Sequence, residues 1–555
     1  MSSAENRVPF SEVVSGAPRV GSDESVGPGE PMEPGERGSR LDDWWARTMS
    51  SPARRRVWRW GAPLAVVVIA AVLRFWNLGH PHALVFDETF YVKDAYTLLH
   101  NGYESSWPAD PDASFNAGDT DIFSDTPSYV VHPPLGKWLI ALGLAVFGAD
   151  DSVGWRVSTA VVGVLAVALV MLVARRLFAS TGLVAIAGLL FAIDGHAIVM
   201  SRIALLDNSV MFFALLGVLF VLLDRPWHER RLAALVARAR DAGRAPFWGP
   251  AVWWRPWLLA AGIAFGATTA VKWSGLYFLA AFGLYLVVTD ALARRRAGLA
   301  FWASGAILKQ GPVTFLLLVP IALVTYLASW TGWFVTDGGY DRHWADQAGN
   351  SLGGPLGLLP PAWQSFIHYH QSMYTFHVGL TKPHPYAANP LTWLLMTRPT
   401  SMWYEQHTLG EAGCTSDACS SAITSIANPL IWWAGTAALV YLVYRLARYR
   451  EWRPGFILMG VVGGYLPWLM YVNRTVYQFY TIAFEPYLIL AIVFALSIIL
   501  GTASDDRYRR TSGLAVTMVF LVLAVLLSAF WFPLWTATSV PHWFWMLHNW
   551  MPSWV

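Results

Sequence analysis

Eleven predominantly apolar runs, at residues 57–76, 154–174, 181–198, 206–223, 257–272, 274–290, 312–335, 429–447, 455–472, 480–500 and 514–535, constrain this chain more than any other feature. An α-helix rises ~1.5 Å per residue, so ~20 such residues cross the ~30 Å hydrocarbon core of a bilayer. Within that core every backbone hydrogen bond must be made inside the helix. Composition agrees: 55% of the 555 residues are hydrophobic and only 14% are charged, too few to clothe a water-facing surface. The sequence therefore predicts an all-α polytopic membrane protein with about 11 transmembrane helices. The fifth and sixth runs are the shortest, with only Lys272-Trp273-Ser274 to turn between them.

Charge placement orients the runs. Residues 1–50 are rich in Pro, Gly, Ser and Glu without hydrophobic periodicity, which predicts a disordered tail. Arg54-Arg55-Arg56 precede the first run, and no small-residue cleavage pattern follows it, so it reads as a retained signal anchor with a cytoplasmic N-terminus. On that orientation the basic residues gather in the cytoplasmic connections: Arg175-Arg176, the seven arginines from Arg225 to Arg255, Arg294-Arg295-Arg296 with Lys309, Arg445 to Arg453, and Arg507 to Arg510. Such scattered short loops do not form a nucleic-acid-binding patch. The transmembrane domain then spans 57–535, with two long extracytoplasmic loops, 77–153 and 336–428, and an extracytoplasmic tail, 536–555. Leu135–Phe147 is about half a spanning length and reads as a re-entrant or interfacial helix. Two cysteines are too few for a disulfide scaffold or a cysteine-based zinc site.

Charges at bilayer depth cost roughly 2.5 to 3.5 kcal/mol on insertion scales, so their positions carry information. Asp87, Glu88, Arg156, Asp194, Arg202, Asp207, Lys272, Arg474 and Glu485 all fall at the predicted outer ends of runs. A pump or channel would carry some of them at the midplane. Two readings remain: a cavity open to the outside, lined by both signs of charge, or helix ends that pair their own charges. Asp87-Glu88, in Val85-Phe86-Asp87-Glu88-Thr89-Phe90-Tyr91, is the sharpest local feature. Paired carboxylates among bulky apolar groups suit a general base; a solvated acidic turn is the alternative.

An Asp-Glu pair in the first outer loop resembles the lipid-carrier-dependent glycosyltransferases of the GT-C fold. His132-Pro133-Pro134-Leu135-Gly136-Lys137, Ser201 to Asp207 (SRIALLD), Val271 to Leu276 (VKWSGL) and Lys382-Pro383-His384-Pro385-Tyr386 are similar, in order, to motifs of the protein O-mannosyltransferases. The resemblance implies inverting transfer of mannose from a polyprenyl-phosphate carrier to Ser/Thr hydroxyls, with no cofactor and no metal expected at the site. It implies Asp87 as base, Glu88 as the group that positions acceptor or sugar, the two roles being exchangeable, and Arg156 on the donor phosphate, where a guanidinium fork suits phosphate oxygens; Arg474 is a second phosphate candidate, with a snorkelling helix end as its alternative. His132, Lys137, Arg202, Asp207, Lys272, His384, Tyr386, Tyr477 and Tyr480 are further substrate-binding candidates, each with a structural alternative; for Arg202 and Asp207 it is an ion pair with each other.

The outer loop 336–428 is too short for the β-trefoil domain of eukaryotic members, so the resemblance is to the bacterial, actinobacterial type. That implies a plasma-membrane enzyme, a decaprenyl-type donor and acceptor proteins met near the Sec translocon. Cys414 and Cys419 lie in an oxidising compartment on this topology and are a candidate disulfide. The competing readings are a GT-C transferase acting on a lipid or glycan acceptor, and a transporter.

Overall fold

The structure, a computed structural model, describes residues 38–555. All eleven apolar runs are helical, and their ends follow from local chemistry. The chain order is α1 (Arg40–Thr48), α2 (Pro52–Phe75), α3 (Glu88–Asn101), α4 (Asp112–Asn116), α5 (Leu135–Phe147), α6 (Ser152–Leu177), α7 (Thr181–Ile193), α8 (Gly195–Arg202), α9 (Asp207–Asp241), α10 (Pro256–Val271) and α11 (Gly275–Arg296). Then come α12 (Trp302–Ser304), a π-helical stretch, α13 (Gly311–Ser329), α14 (Thr331–Val335), α15 (Pro361–Gly379), α16 (Pro429–Tyr449), α17 (Trp452–Gly464), α18 (Glu485–Leu500), α19 (Arg507–Trp535) and α20 (His542–Met546).

Side-chain oxygens cap the exposed N–H groups where helices start. Asp151 accepts from Val153 at α6, Ser180 from Leu183 at α7, and Asn428 from Leu430 and Ile431 at α16, where Pro429 sits at the first turn. Asp194 ends α7 and caps α8 through the His196 N–H, at a 61° break between the two.

Among the described residues, eight helices are long and apolar enough to cross a membrane, and the bent α7–α8 pair is a ninth candidate. α10 and α18, 16 residues each, are shorter. The apolar window of α2 is only 11% buried against 61% for α6 and for α9, so α2 offers its sides to lipid while α6 and α9 form the centre of the bundle.

Three expectations change. Residues 1–37 of the predicted tail lie outside the described residues, and Arg40–Thr48 within it is helical, held by a Ser39/Asp42 capping box and by Asp42 bonded to Arg510 at 2.8 and 2.9 Å. α9 runs on to Asp241, well past the apolar run that predicted it, because its second half packs Leu232 and Val236 on Val252, Ala293 and Leu299. The fold is not purely helical. The second long loop and the C-terminal tail together build a sheet of order β1-β2-β3, with β1 (Thr400–Thr408) and β2 (Ala418–Ser425) from the loop and β3 (Val540–Pro541) from the tail, antiparallel. Neither β1, TSMWYEQHT, nor β2, ACSSAITS, keeps the apolar–polar alternation that marks a half-buried strand in a sequence. Cys414 and Cys419 are disulfide-bonded at the β1–β2 turn. The C-terminal tail packs back on the same region, where the buried Trp554 indole donates to the Met396 carbonyl at 2.8 Å.

The motif segments converge. Gly136 has no room for a Cβ, which would lie 2.7 Å from Leu206 and 3.0 Å from Val271. It is therefore the contact at which the HPPLGK, SRIALLD and VKWSGL segments close on one another. Gly275 does the same for the α10–α11 turn, where a Cβ would meet the Thr269 nitrogen at 2.5 Å.

Candidate active site

A cavity of about 210 Å³ opens where these segments meet, at the end of the bundle opposite the arginine-rich connections. His132 enters from the turn before α5, Asp207 from the start of α9, Lys272 and Trp273 from the α10–α11 turn, His377 from α15, and Arg474 and Tyr480 from the segment before α18. None of these elements could assemble the cavity alone.

Asp87 is the N-cap of α3; it does not itself line this cavity, but the charges of Lys272 and Asp207, which do, act on its carboxyl. Phe86, immediately before it, has φ 48°, a left-handed conformation that a bulky residue adopts only when its surroundings hold it there. Edge-on contacts with His384, Tyr477 and Phe479, at 5.6–6.1 Å between ring centres, supply that hold. Burial raises the Asp87 carboxyl from the ordinary carboxylate range to about 6; the nearby Lys272 charge works against the rise and Asp207 adds to it.

Glu88 has a different environment. It is fully buried, and its two oxygens accept from Arg156 Nε and Nη2 at 2.9 Å each and from the Val85 and Ala204 N–H groups at 3.0 and 2.8 Å. Arg156 spends its remaining donors on the Leu78, Pro81 and Ala83 carbonyls at 3.4, 2.8 and 2.8 Å. A guanidinium has five N–H donors, and all five are engaged. The expected contact between Arg156 and a donor phosphate thus has no free donor to make it. Arg156 and Glu88 instead form a buried bidentate pair that ties the loop 78–88 to α6 and holds the neighbouring Asp87 in place.

Arg474 differs from Arg156. It lines the cavity, makes no ion pair among the described residues, and leaves Nε without a hydrogen-bond partner. Among the described residues its side-chain hydrogen-bond partner is His377 Nδ1, at 3.1 Å, and it lies over the Trp468 ring at 6.0 Å. His377 Nε2 lies 2.7 Å from the Val131 carbonyl, so Nε2 carries the proton and Nδ1 accepts from Arg474. Burial lowers the His377 pKa to about 4, which agrees with a neutral ring. His377 stacks on His132 with centroids 5.1 Å apart, and burial followed by the Lys272 charge lowers His132 well below the ordinary histidine value. Lys272 Nζ bonds Asp207 at 2.7 Å and lies over the Tyr480 and Tyr91 rings at 5.2 and 5.7 Å.

The other candidates separate cleanly. Arg202 does not pair with Asp207, because Lys272 takes that carboxylate; Arg202 caps the end of α2 through the Arg74, Trp76 and Asn77 carbonyls at 3.1, 2.6 and 3.1 Å. Lys137 is 1% exposed, bonded to Glu104 and 3.6 Å from Asp94, away from the cavity. His384 and Tyr477 buttress Phe86, and Tyr386 lies under the Arg398 guanidinium at 5.0 Å. His377, Trp273, Tyr277 and Tyr471 line the cavity but were not singled out in the sequence. Trp273 was within reach of a sequence signal, since it follows Lys272 in the VKWSGL segment, and Tyr277 directly follows that segment; His377 was not, because nothing local marks one histidine of an aromatic-rich helix. Among the described residues no cluster of three or more His, Cys, Asp or Glu is arranged to hold a metal ion.

A profile of the dolichyl-phosphate-mannose-protein mannosyltransferases matches residues 126–334, and one of the C-terminal four-transmembrane region of protein O-mannosyltransferases matches 362–554. A polyprenol-phosphate-mannose–protein mannosyltransferase of Mycolicibacterium smegmatis is 35% identical, over 89% of this chain and 93% of its own length. Its namesake in Mycobacterium tuberculosis is 34% identical, over 88% of this chain and 90% of its own. The S. cerevisiae protein O-mannosyltransferase Pmt1–Pmt2 complex bound to the sugar donor shares the fold at a TM-score of 0.67, 17% identity, and coverage of 94% of this chain and 95% of that one.

Proposed function

Because this chain belongs to the protein O-mannosyltransferase family and has its GT-C fold, we propose that it performs the family's transfer of mannose from a polyprenyl-phosphate carrier to protein in the cavity between Asp87, Lys272 and Arg474. The single observation that carries this placement is that Lys272 and Asp207, whose charges act on the Asp87 carboxyl, line the same cavity as Arg474, which has no ion-pair partner among the described residues. A general base works best when its pKa lies near the operating pH, and at pH 7 Asp87 is mostly ionised yet basic enough to take a hydroxyl proton.

In this reading a Ser or Thr hydroxyl gives its proton to Asp87 while its oxygen attacks the anomeric carbon from the face opposite the phosphate. The bond from that carbon to the phosphate oxygen breaks, and the electron pair leaves with the lipid phosphate. Configuration inverts. Arg474 holds the departing phosphate through its free N–H groups, with His377 fixing its orientation; Lys272 adds positive charge, tempered by Asp207. The neutral His132 and His377 rings and Trp273 wall the sugar. Glu88 and Arg156 act through Asp87 by fixing its loop. The carrier's apolar chain leaves along a second cavity of about 540 Å³ between α13 and α15, which shares Tyr374 with the first and is lined by Leu323, Leu327, Phe366 and Ile367.

The family chemistry and the arginine-rich opposite end support a plasma-membrane enzyme with a cytoplasmic N-terminus and the cavity outside, a decaprenyl-type carrier, and acceptors emerging as extended chains near the Sec translocon. No catalytic metal is invoked. Membranes containing the chain, given labelled polyprenyl-phosphate mannose and a Thr- and Pro-rich peptide, should yield labelled peptide. Label appearing only in lipid or glycan would overturn the protein-acceptor reading.

A further inference from the structure

On the far side of the Asp87 loop lies another groove, of about 540 Å³, that the transfer chemistry does not use. Trp403, Glu405 and His407 alternate along β1, so all three face it, as a period of two requires. Trp76, at the end of α2, contributes a second indole, and Ser421 of β2 and Ser539 contribute hydroxyls. The volume falls within the range of about 300–1,000 Å³ typical of small-ligand pockets.

The chemistry of the lining narrows the occupant. No Lys or Arg faces the groove, and Glu405 has no ion-pair partner among the described residues, so an anion is disfavoured. An alkyl chain would strand the polar groups. Ser539 Oγ is buried with no hydrogen-bond partner among the described residues, and such an atom favours a ligand that offers hydroxyls. Indole faces combined with a carboxylate, the imidazoles of His80, His82 and His407, the last already bonded to Ser421 at 3.0 Å, and the free Ser539 hydroxyl match a neutral polyol, whose C–H face stacks on the rings while its O–H groups meet the polar atoms. The groove also borders the catalytic loop directly: Pro81 and Ala83 line it, and their carbonyls are the ones that hold Arg156.

We propose that this groove binds a neutral hexose, the α-mannosyl group already installed on a neighbouring residue of the acceptor, so that a partly mannosylated chain is held for the next transfer. The proposal rests on the protein-mannosyltransferase reading and adds a product subsite to it.

The test uses the full chain in lipid nanodiscs with three probes: a Thr-rich peptide carrying one α-mannosyl threonine, the same peptide unmodified, and methyl α-mannoside. The mannosylated peptide should show a KM at least fivefold below that of the unmodified one, and excess methyl α-mannoside should abolish the difference. Trp403→Ala and Glu405→Ala should each bring the KM ratio to unity, with transfer to unmodified peptide within twofold of wild type; Glu405 is solvent-exposed, so its variant keeps the fold if the Trp403 variant does not. Equal KM values in the wild type, or a preference that survives in the Glu405 variant, would overturn the subsite alone. Failure of the wild type to label the unmodified peptide would overturn the transferase reading, and the subsite with it.

Discussion

Arg156→Ala distinguishes a structural arginine from a phosphate-binding one. The substitution removes both N–H bonds to a carboxylate that is fully buried and leaves Glu88 with only the Val85 and Ala204 N–H groups. It also releases the Leu78, Pro81 and Ala83 carbonyls. Breaking a buried pair by removing one partner costs about 3–5 kcal/mol, since the remaining charge is left uncompensated; that is a large share of a typical total of about 5–15 kcal/mol. Removing both charges together, Arg156→Met with Glu88→Gln, should restore at least half of the loss, because the stranded charge has gone. Activity should not return with stability. Asp87 would no longer be held by a pinned loop, and displacement of a reacting group by about 1 Å lowers turnover on the order of 10²-fold. Unfolding in detergent would be followed alongside mannosyl transfer to a peptide over a range of donor concentrations. The expected outcome is a kcat lower by about 10² or more in both variants, with donor KM changed less than threefold. A stable Arg156→Ala enzyme with normal kcat and a donor KM raised tenfold would refute the reasoning and return Arg156 to the phosphate.

Asp87→Asn should lower kcat by about 10² or more with the protein still inserted. Its raised carboxyl sets the sign of the pH dependence: the base must be ionised, so kcat/KM should fall about tenfold per pH unit below about 6 and level off above it; a limb centred near 4 in the pH–rate profile would exclude Asp87 as the titrating base. Arg474→Ala removes charge-assisted bonds worth roughly 1.5–3 kcal/mol, so donor use should weaken by about 10- to 150-fold while peptide KM holds, and equal effects on both substrates would count against a phosphate role. Single cysteines placed at Arg240 and Ala345 in a Cys414/Cys419-free background should react with membrane-impermeant reagents from opposite faces; labelling from one face would break the proposed topology.

The apolar runs predicted the helices that cross the bilayer because solvent alone imposes that pattern: a bilayer requires ~20 apolar residues wherever the chain crosses; α15, 19 residues in the second long loop, lies outside every run. Asp87 stood out for a related reason, since adjacent carboxylates among Val85, Phe86 and Phe90 have no cheap explanation in an apolar chain. The sheet escaped notice because β1 and β2 lack a sustained apolar–polar alternation, and β3, two residues long, lies 115 residues beyond β2 in the chain. Among the cations the sequence reading was uneven. Lys272 and Arg474 do line the cavity, whereas Lys137 is buried on Glu104 and Arg202 serves the carbonyls of α2.

By itself the sequence determined that the chain lives in a membrane, which helix ends carry charge, and that those charges gather at one end of the bundle. Only the tertiary structure decided how they pair. Arg156 takes Glu88, Lys272 takes Asp207, and Arg474 is left with a neutral histidine. Attraction between buried charges depends on separations of a few ångströms and on what else can solvate each group, and those distances are set by helix packing between residues as far apart in the chain as 88 and 156. Chain order carries the inventory of charges but no information on which of them are near enough to neutralise one another.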